Sequence, residues 1–155
     1  MGGSVYANSV GGVAAKPAGT TGNFLAAGTT PGQPARLTFD TPLSSIGFLW
    51  GSPDVENRVE VPWTGGASKT FKASDLSFSL TNGNQAFAQY VRFDSDEANF
   101  ITGLVFTNHP SRNAFEVSNF SVPAGGAKVP EPATTGLLAA GLIGLAGVVR
   151  RRRVS

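Results

Sequence analysis

The sequence predicts an all-β fold, an antiparallel β-sandwich of jelly-roll-like type, followed by a single C-terminal transmembrane helix. Short segments of alternating apolar and polar residues follow one another with turn signals between them. The 11 phenylalanines supply an apolar interior, and almost no stretch has the period of an amphipathic helix. An uncharged stretch followed by four arginines closes the chain, as in a membrane-spanning segment.

This pattern divides the chain into four parts. We expect an irregular segment over residues 1–33, because residues 8–33 are rich in Gly, Ala, Thr and Pro, with a poorly patterned first strand as the alternative for residues 8–33. Residues 34–122, here called the ectodomain, carry the strand pattern of the sandwich, and residues 123–129 form a flexible linker. Residues 130–155 are the membrane-related tail.

Seven or eight short strands are expected in the ectodomain. Val59, Val61 and Trp63 alternate with polar residues and should face the core, as should Phe115, Val117 and Phe120. Asn82-Gly83 is a strong turn signal. The predicted strands are residues 35–39, 45–50, 58–63, 69–72, 75–80, 87–93, 101–107 and 114–122.

The C-terminal tail has the physical features of a short membrane anchor. Residues 133–149 are seventeen residues without charge, and as a helix they would measure roughly 25 Å, enough for a thin hydrocarbon core. The prolines at positions 130 and 132 favour a helix that begins near Ala133. The arginines should stop the helix and hold its end in the cytoplasm, which places the ectodomain on the other side. They are Arg150, Arg151, Arg152 and Arg153.

The tail also resembles a PEP-CTERM sorting signal, the C-terminal tag of bacterial proteins processed by an exosortase. The resemblance rests on Pro130, Glu131 and Pro132, the Gly/Leu/Ala-rich stretch behind them and the terminal arginines. It implies export, transient anchoring in the inner membrane and cleavage near residues 130–132. It further implies delivery to the cell surface or the extracellular matrix, with exosortase as a partner and exopolysaccharide as a second expected partner.

The N-terminus lacks a complete signal peptide, which an exported protein needs. Residues 1–13 have neither a basic start nor an apolar core, although Val5-Tyr6-Ala7 resembles the end of such a peptide. Our hypothesis is that the chain begins late and that residues 1–7 are a signal-peptide remnant. The DNA in frame upstream of Met1 tests this hypothesis, because a stop codon just before Met1 without an alternative start contradicts it.

Charge and composition exclude several classes of function. Residues 1–132 contain eight Lys and Arg against ten Asp and Glu, a net charge of −2, so the basic character of the chain lies in its last residues. The ectodomain therefore lacks the positive charge needed to bind nucleic acid. The absence of cysteine excludes disulfides and thiolate metal sites.

Two tryptophans are candidates for contact with a glycan. Trp50 and Trp63 could form a stacking platform for sugar rings if they were exposed. Both lie at the apolar phase of a strand, which favours core packing instead. The two alternatives stay open at this stage.

Acidic turns are candidates for a calcium site. Asp94, Asp96 and Glu97 place three carboxylates in one short turn, but the spacing lacks the glycine and the distant glutamate of an EF-hand loop. A solvated hairpin turn is the favoured alternative. Asp54 and Glu56, with Asn57, form a second acidic turn with the same two interpretations.

No arrangement of residues predicts catalysis. His109 is the single histidine, and no Gly-x-Ser-x-Gly elbow accompanies it, so a loop histidine is favoured. We expect no enzyme, no catalytic residue and no obligatory cofactor. The leading expectation is an exported surface or matrix protein of structural or interaction type. The alternatives are a carbohydrate-binding module or adhesin and, third, a glycan hydrolase.

Overall fold

The computed structural model describes residues 2–28, 32–96, 98–111 and 113–123. Within these residues the chain forms nine β-strands and one short 3-10 helix, Ala73–Leu76. In the described part of the chain, no helix could span a bilayer. The predicted helix of residues 133–149 lies outside the described residues. The strands are β1 (Ser4–Tyr6), β2 (Phe24–Ala27), β3 (Ala35–Leu43), β4 (Ser45–Gly51), β5 (Asn57–Pro62), β6 (Ser68–Lys72), β7 (Ala88–Asp94), β8 (Ile101–Asn108) and β9 (Phe115–Ser121).

The strands form two antiparallel sheets, which confirms the all-β prediction. The five-stranded sheet has the order β1-β2-β9-β4-β7, and the four-stranded sheet has the order β3-β8-β5-β6. Every pair of neighbouring strands is antiparallel. This arrangement is consistent with a β-sandwich, whereas the jelly-roll-like connectivity stays a prediction.

The core lies between the sheets and is largely aromatic. Phe48 on β4 meets Phe106 on β8 edge-to-face, with the ring centres 5.4 Å apart. The ring centres of Trp50 and Phe115 lie 4.5 Å apart. Val59 and Val61 are fully buried, as the alternation along β5 predicts. These contacts place the apolar faces of both sheets in one interior.

A second, smaller apolar cluster covers the outer face of the five-stranded sheet. Residues 7–23, which we call the β1–β2 loop, contribute Val13 and Ala14, and these pack with Phe24 and Ala26 of β2. Tyr6 and Ala114 complete the cluster. The prediction of an irregular segment was therefore wrong for residues 4–6 and 24–27, because β1 and β2 belong to the sandwich, and for residues 24–27 the alternative of a poorly patterned strand holds.

The physical reason for this error is that β2 is covered on both sides. Its four residues, Phe24–Ala27, are buried or half-buried without alternation, so the period-two signal of a half-exposed strand is absent. Residues 4–6, part of the predicted signal-peptide remnant, pair with β2 and form the edge strand of the sheet. The remnant hypothesis itself stays a prediction.

Residues 75–80 do not form the predicted strand. The carboxylate of Asp75 accepts a hydrogen bond from the backbone N–H of Lys72 at 2.8 Å, which closes the turn of the 3-10 helix. Ser77 then takes a left-handed conformation with φ of 56°. Leu76 and Phe78 still pack against the core, so their apolar character is used without a strand.

A β-bulge in β9 changes which side chains face the core. Gly47 pairs with Ser121 and Leu49 with Ser118, so β9 contains one residue more than β4 between these pairs. Asn119, with φ of 49°, lies in this bulge. Phe115 and Val117 are fully buried as predicted, and the bulge returns Phe120 to the same side. Phe120 is 41% exposed, but its ring centre lies 5.8 Å from that of Phe48.

Candidate functional site

A polar cleft lies where β4 ends and β9 begins, between the β1–β2 loop and the loop that precedes β7. Its volume is about 410 Å³. Side chains with carboxylate, amide or hydroxyl groups form much of its wall, together with glycines and the backbone of the β1–β2 loop. The residues that line this polar cleft are Ser9–Ala15, Ser52, Asp54, Asn82, Gly83, Gln85, Asn113, Ala114 and Glu116.

Glu116 is the buried acidic residue of the polar cleft. It lies on the outer face of the five-stranded sheet under the β1–β2 loop and is only 4% exposed. Its Oε1 accepts a hydrogen bond from the backbone N–H of Ala15 at 2.9 Å, and its Oε2 accepts one from the hydroxyl of Ser52 at 3.0 Å. Burial raises the pKa of Glu116 to about 7, against the lowering effect of these hydrogen bonds, and the nearby charge of Asp54 adds to the rise.

Asp54 is held in the wall of the polar cleft by a tight turn. It is 8% exposed, and its Oδ1 accepts hydrogen bonds from the backbone N–H groups of Glu56 and Asn57, at 2.8 and 3.0 Å. Ser52, two positions before Asp54, has φ of 37°. The backbone N–H of Gly83 donates to the carbonyl of Pro53 at 2.9 Å, which joins this turn to the loop before β7.

A buried network of polar side chains contacts the Asp54 turn on the side that faces the core. Asn57 is fully buried, and its Oδ1 accepts hydrogen bonds from Trp50 Nε1 at 3.2 Å and from the backbone N–H of Asp54 at 3.1 Å. Its Nδ2 donates to Asn108 Oδ1 at 2.6 Å. Asn108 in turn donates to the carbonyl of Asn113 in the wall of the polar cleft. The network thus connects the core to the polar cleft and holds its walls in fixed positions.

The chemistry of the polar cleft is that of hydrogen bonding at negative potential. Two carboxylates line it, and no Lys, Arg, His or aromatic residue does among the residues that the structure describes. Asn82, Gln85 and Asn113 are exposed and offer amide groups that both donate and accept. No described group in the lining is a histidine-activated nucleophile, since His109 lies elsewhere, exposed at the end of β8.

The structure separates the two tryptophan candidates. Trp50 is fully buried and donates its indole N–H to Asn57, so it cannot stack on a sugar and the glycan prediction was wrong for this residue. The physical reason is that the Trp50 side chain faces the interior between the two sheets, where its ring packs against Phe48, Phe78 and Phe115. Trp63 is half-buried, follows β5 and packs against the core. Its contact with a glycan stays a prediction.

In the acidic turn after β7, Asp94 and Asp96 both have partners within the protein. Asp94 forms an exposed ion pair with Arg92 at 2.7 Å. Hydrogen bonds from the Asn99 side chain and from the backbone N–H groups of Ala98 and Asn99 hold the pKa of Asp96 below its usual value. Glu97 lies outside the described residues. Residues 2–28, 32–96, 98–111 and 113–123 contain no group of three or more His, Asp or Glu placed to hold a metal ion. Calcium binding stays a prediction.

Sequence reasoning missed Glu116 and Ser52. The alternation along β9 puts Phe115 and Val117 inward and therefore puts Glu116 outward, where solvent is the default expectation. The residue that covers Glu116 and bonds to it is Ala15, 101 positions earlier in the chain. Nothing local to Glu116 signals this contact. The acidic turn at Asp54 is visible in the sequence, but the sequence does not predict that Asp54 lies beside Glu116.

Comparison with known families concerns the C-terminal tail. A family model for the PEP-CTERM protein-sorting motif matches residues 128–153, which include the Pro-Glu-Pro sequence, the uncharged stretch and the four arginines. No curated protein and no solved structure matches the chain. This C-terminal sorting motif implies an exported protein that is processed at the membrane. More particularly, the chain carries a PEP-CTERM signal, the substrate motif of an exosortase, as the resemblance of residues 130–153 predicted.

Proposed function

We propose that this protein is a non-enzymatic structural or interaction protein of the cell surface or extracellular matrix, associated there with exopolysaccharide. The observation that carries the proposal is the PEP-CTERM motif at residues 128–153. The described ectodomain supports it, because a two-sheet fold with an acidic net charge and no cysteine can fold outside the cytoplasm without oxidative help. In this proposal the ectodomain is the cargo and the tail is a removable tag.

The proposed sorting mechanism follows from the tail's sequence. Residues 133–149 insert into the inner membrane, and Arg150–Arg153 keep the end of the chain in the cytoplasm. Pro130, Glu131 and Pro132 then lie just outside the bilayer, where the exosortase binds and cleaves. The prolines restrict this segment to extended conformations, so less conformational entropy is lost when the enzyme binds it.

The test uses the full-length chain in a host that contains an exosortase. Two variants are compared with the wild type: Glu131→Ala and the quadruple variant in which Arg150–Arg153 are all replaced by Ala. We expect both to accumulate as unprocessed or misoriented precursor in the membrane fraction. Glu60→Ala, which removes an acidic side chain from β5, serves as the matched control and is expected to be processed normally. Release of both tail variants to the surface at the wild-type level contradicts the sorting mechanism.

A carbohydrate-binding module or adhesin is the second candidate. It is favoured by the half-buried Trp63 and by the polar lining of the cleft. Polysaccharide pull-down distinguishes it from a purely structural role: binding that is lost in Trp63→Ala but kept in Trp63→Phe, with unfolding temperatures unchanged, indicates a stacking contact. Equal binding by all three proteins removes Trp63 from the candidate contacts.

A glycan hydrolase is the third candidate, and we propose that it is not the function. Glycosidases need one carboxyl group to donate a proton and another carboxylate to attack or activate water. Both oxygens of Glu116 and one of Asp54 accept hydrogen bonds from the protein itself, which suits a structural role. The Asp94 carboxylate is paired with Arg92. Turnover of a polysaccharide or ester substrate that Asp94→Asn or Asp54→Asn abolishes contradicts this proposal.

A further inference from the structure

We propose that the polar cleft is a binding site for a neutral, hydroxyl-rich saccharide, held by the carboxylate of Asp54 and the side-chain amides of Asn82 and Gln85. This inference rests on the proposed function, because it names the part of the ectodomain that contacts a matrix polysaccharide. The volume of about 410 Å³ lies within the range of roughly 300–1,000 Å³ typical of small-ligand pockets. The polar cleft therefore has room for a short saccharide segment.

Asp54 supplies the observation that points to a ligand. More than nine-tenths of this residue is buried, and it lines the polar cleft. Its Oδ1 is occupied by the two backbone N–H groups of its own turn, whereas its Oδ2 accepts no hydrogen bond from the described residues. This oxygen is not among the side-chain atoms that are sealed from solvent without a partner, so a group that enters the polar cleft can reach it. A ligand hydroxyl that donates to Oδ2 would form a charge-assisted hydrogen bond.

The side-chain amides complete a set of groups that suits sugar hydroxyls. A hydroxyl both donates and accepts, and so does the amide of an Asn or Gln. Asn82 and Gln85 lie on the loop that the Gly83–Pro53 hydrogen bond fastens to the Asp54 turn. Two hydrogen bonds between Asp54 and Asn57 hold that turn on the side that faces the core. The polar groups are therefore held in place before a ligand arrives, which lowers the entropy cost of binding.

The charge of the lining selects among saccharides. Asp54 repels a sugar that carries carboxylate or sulfate groups, Glu116 adds to this repulsion where it is ionised, above about pH 7, and no basic residue of the described lining offsets them. An amino sugar would pair its ammonium group with Asp54, and its hydroxyl groups would match the amides of Asn82 and Gln85 as those of a neutral sugar do, so the chitosan probe distinguishes the two. The described lining has no aromatic ring, so recognition here depends on hydrogen bonds and not on stacking. A neutral saccharide satisfies all of these groups.

The test is calorimetric titration of the full-length chain, purified in mild detergent, with neutral tetrasaccharides of glucose, mannose and galactose. A chitosan tetramer and an alginate tetramer are the cationic and anionic comparison probes. Asp54→Asn keeps the Oδ1 acceptor of the turn but replaces Oδ2 with a donor, and we expect it to weaken binding about tenfold or more. We expect Gln85→Ala to weaken it about fivefold. Gln89→Ala, an exposed glutamine on β7 outside the polar cleft, should bind as the wild type does.

Three results overturn the inference: no neutral probe binds, the chitosan or alginate tetramer binds more tightly than every neutral probe, or Gln85→Ala and Gln89→Ala bind equally. If Asp54→Asn does not fold, the pair of glutamine variants decides alone. The proposed function is tested by a different measurement, the fraction of wild-type protein that remains with the matrix polysaccharide of the cells. The proposed function fails if the wild-type protein does not remain with this polysaccharide. Matrix association that Gln85→Ala leaves unchanged overturns the polar cleft as the contact and retains the proposed function.

Discussion

The carboxylate of Glu116 accepts a hydrogen bond from the hydroxyl of Ser52 at 3.0 Å, beneath the β1–β2 loop. Its other oxygen accepts the backbone N–H of Ala15 in that loop. One buried acidic side chain therefore joins β9, the turn after β4 and the N-terminal part of the chain. The stability of the ectodomain and the shape of the polar cleft both depend on this side chain.

The stability of the protein is expected to depend on pH through Glu116. Burial raises the pKa of this carboxyl from 4.5 to about 7. The unfolded chain loses the proton near pH 4.5, whereas the folded chain keeps it until about pH 7. The stabilisation that Glu116 provides is therefore fully present below pH 4.5 and is lost as the pH rises to 7. The corresponding loss in the free energy of unfolding is at most roughly 3 kcal/mol.

The variant Glu116→Gln tests this dependence. Gln keeps an acceptor for Ala15 N–H and has no proton to lose, so its free energy of unfolding should change less between pH 4.5 and 7 than that of the wild type. Above pH 7 the variant should be the more stable protein. Urea unfolding at a series of pH values measures both quantities, and parallel profiles for the two proteins contradict the expectation.

Removal of the Asn57 side chain should be strongly destabilising. Asn57→Ala leaves the indole N–H of Trp50, the backbone N–H of Asp54 and the carbonyl oxygen of the Asn108 side chain without their partner in a buried environment. The expected loss in the free energy of unfolding is about 3 kcal/mol or more. The control Asn99→Ala removes an exposed amide that bonds to Asp96 and should cost less than about 1 kcal/mol. Equal losses in chemical denaturation would show that the network is not the cause.

The packing of the β1–β2 loop on β4 can be tested at Gly51. A Cβ atom there would lie 2.6 Å from Cβ and Cγ of Pro17 and 3.0 Å from its Cα. Gly51→Ala must therefore displace the loop, with an expected cost of roughly 1–3 kcal/mol. Gly11→Ala is the matched control, because nothing lies within 4 Å of its added Cβ. Proteolysis should cut the β1–β2 loop faster in Gly51→Ala than in Gly11→Ala, and equal rates refute the close contact.

The bulge at Asn119 predicts a difference between two substitutions. Both Asn119→Gly and Asn119→Ala lose the side chain that accepts a hydrogen bond from Thr21 N–H and donates one to the carbonyl of Gly19. Only alanine must also take the left-handed conformation with φ of 49°. Asn119→Gly should therefore be the more stable variant by about 1 kcal/mol in thermal unfolding. A more stable alanine variant contradicts the bulge geometry.

The strands predicted from the sequence are those that have one exposed face. Along β5 the alternation of Val59 and Val61 with Arg58 and Glu60 is visible in the sequence, and the structure has the same pattern. The prediction failed for β2, which is covered on both faces, and for residues 75–80, where the Asp75 carboxylate closes a turn. A local pattern reports exposure to solvent, so it fails where another segment replaces the solvent.

The sequence by itself determined the sorting signal and the all-β class. The signal is a contiguous stretch whose prolines, uncharged residues and arginines act through their order along the chain, and the fold class follows from period-two alternation between turns. Only the tertiary structure decided the burial of Trp50 and Glu116 and the assembly of the polar cleft. The cleft brings the β1–β2 loop, the Asp54 turn, the Asn82–Gln85 loop and the start of β9 together. Contacts between residues about a hundred positions apart, such as Ala15 and Glu116, arise from sheet packing and leave no local pattern in the sequence.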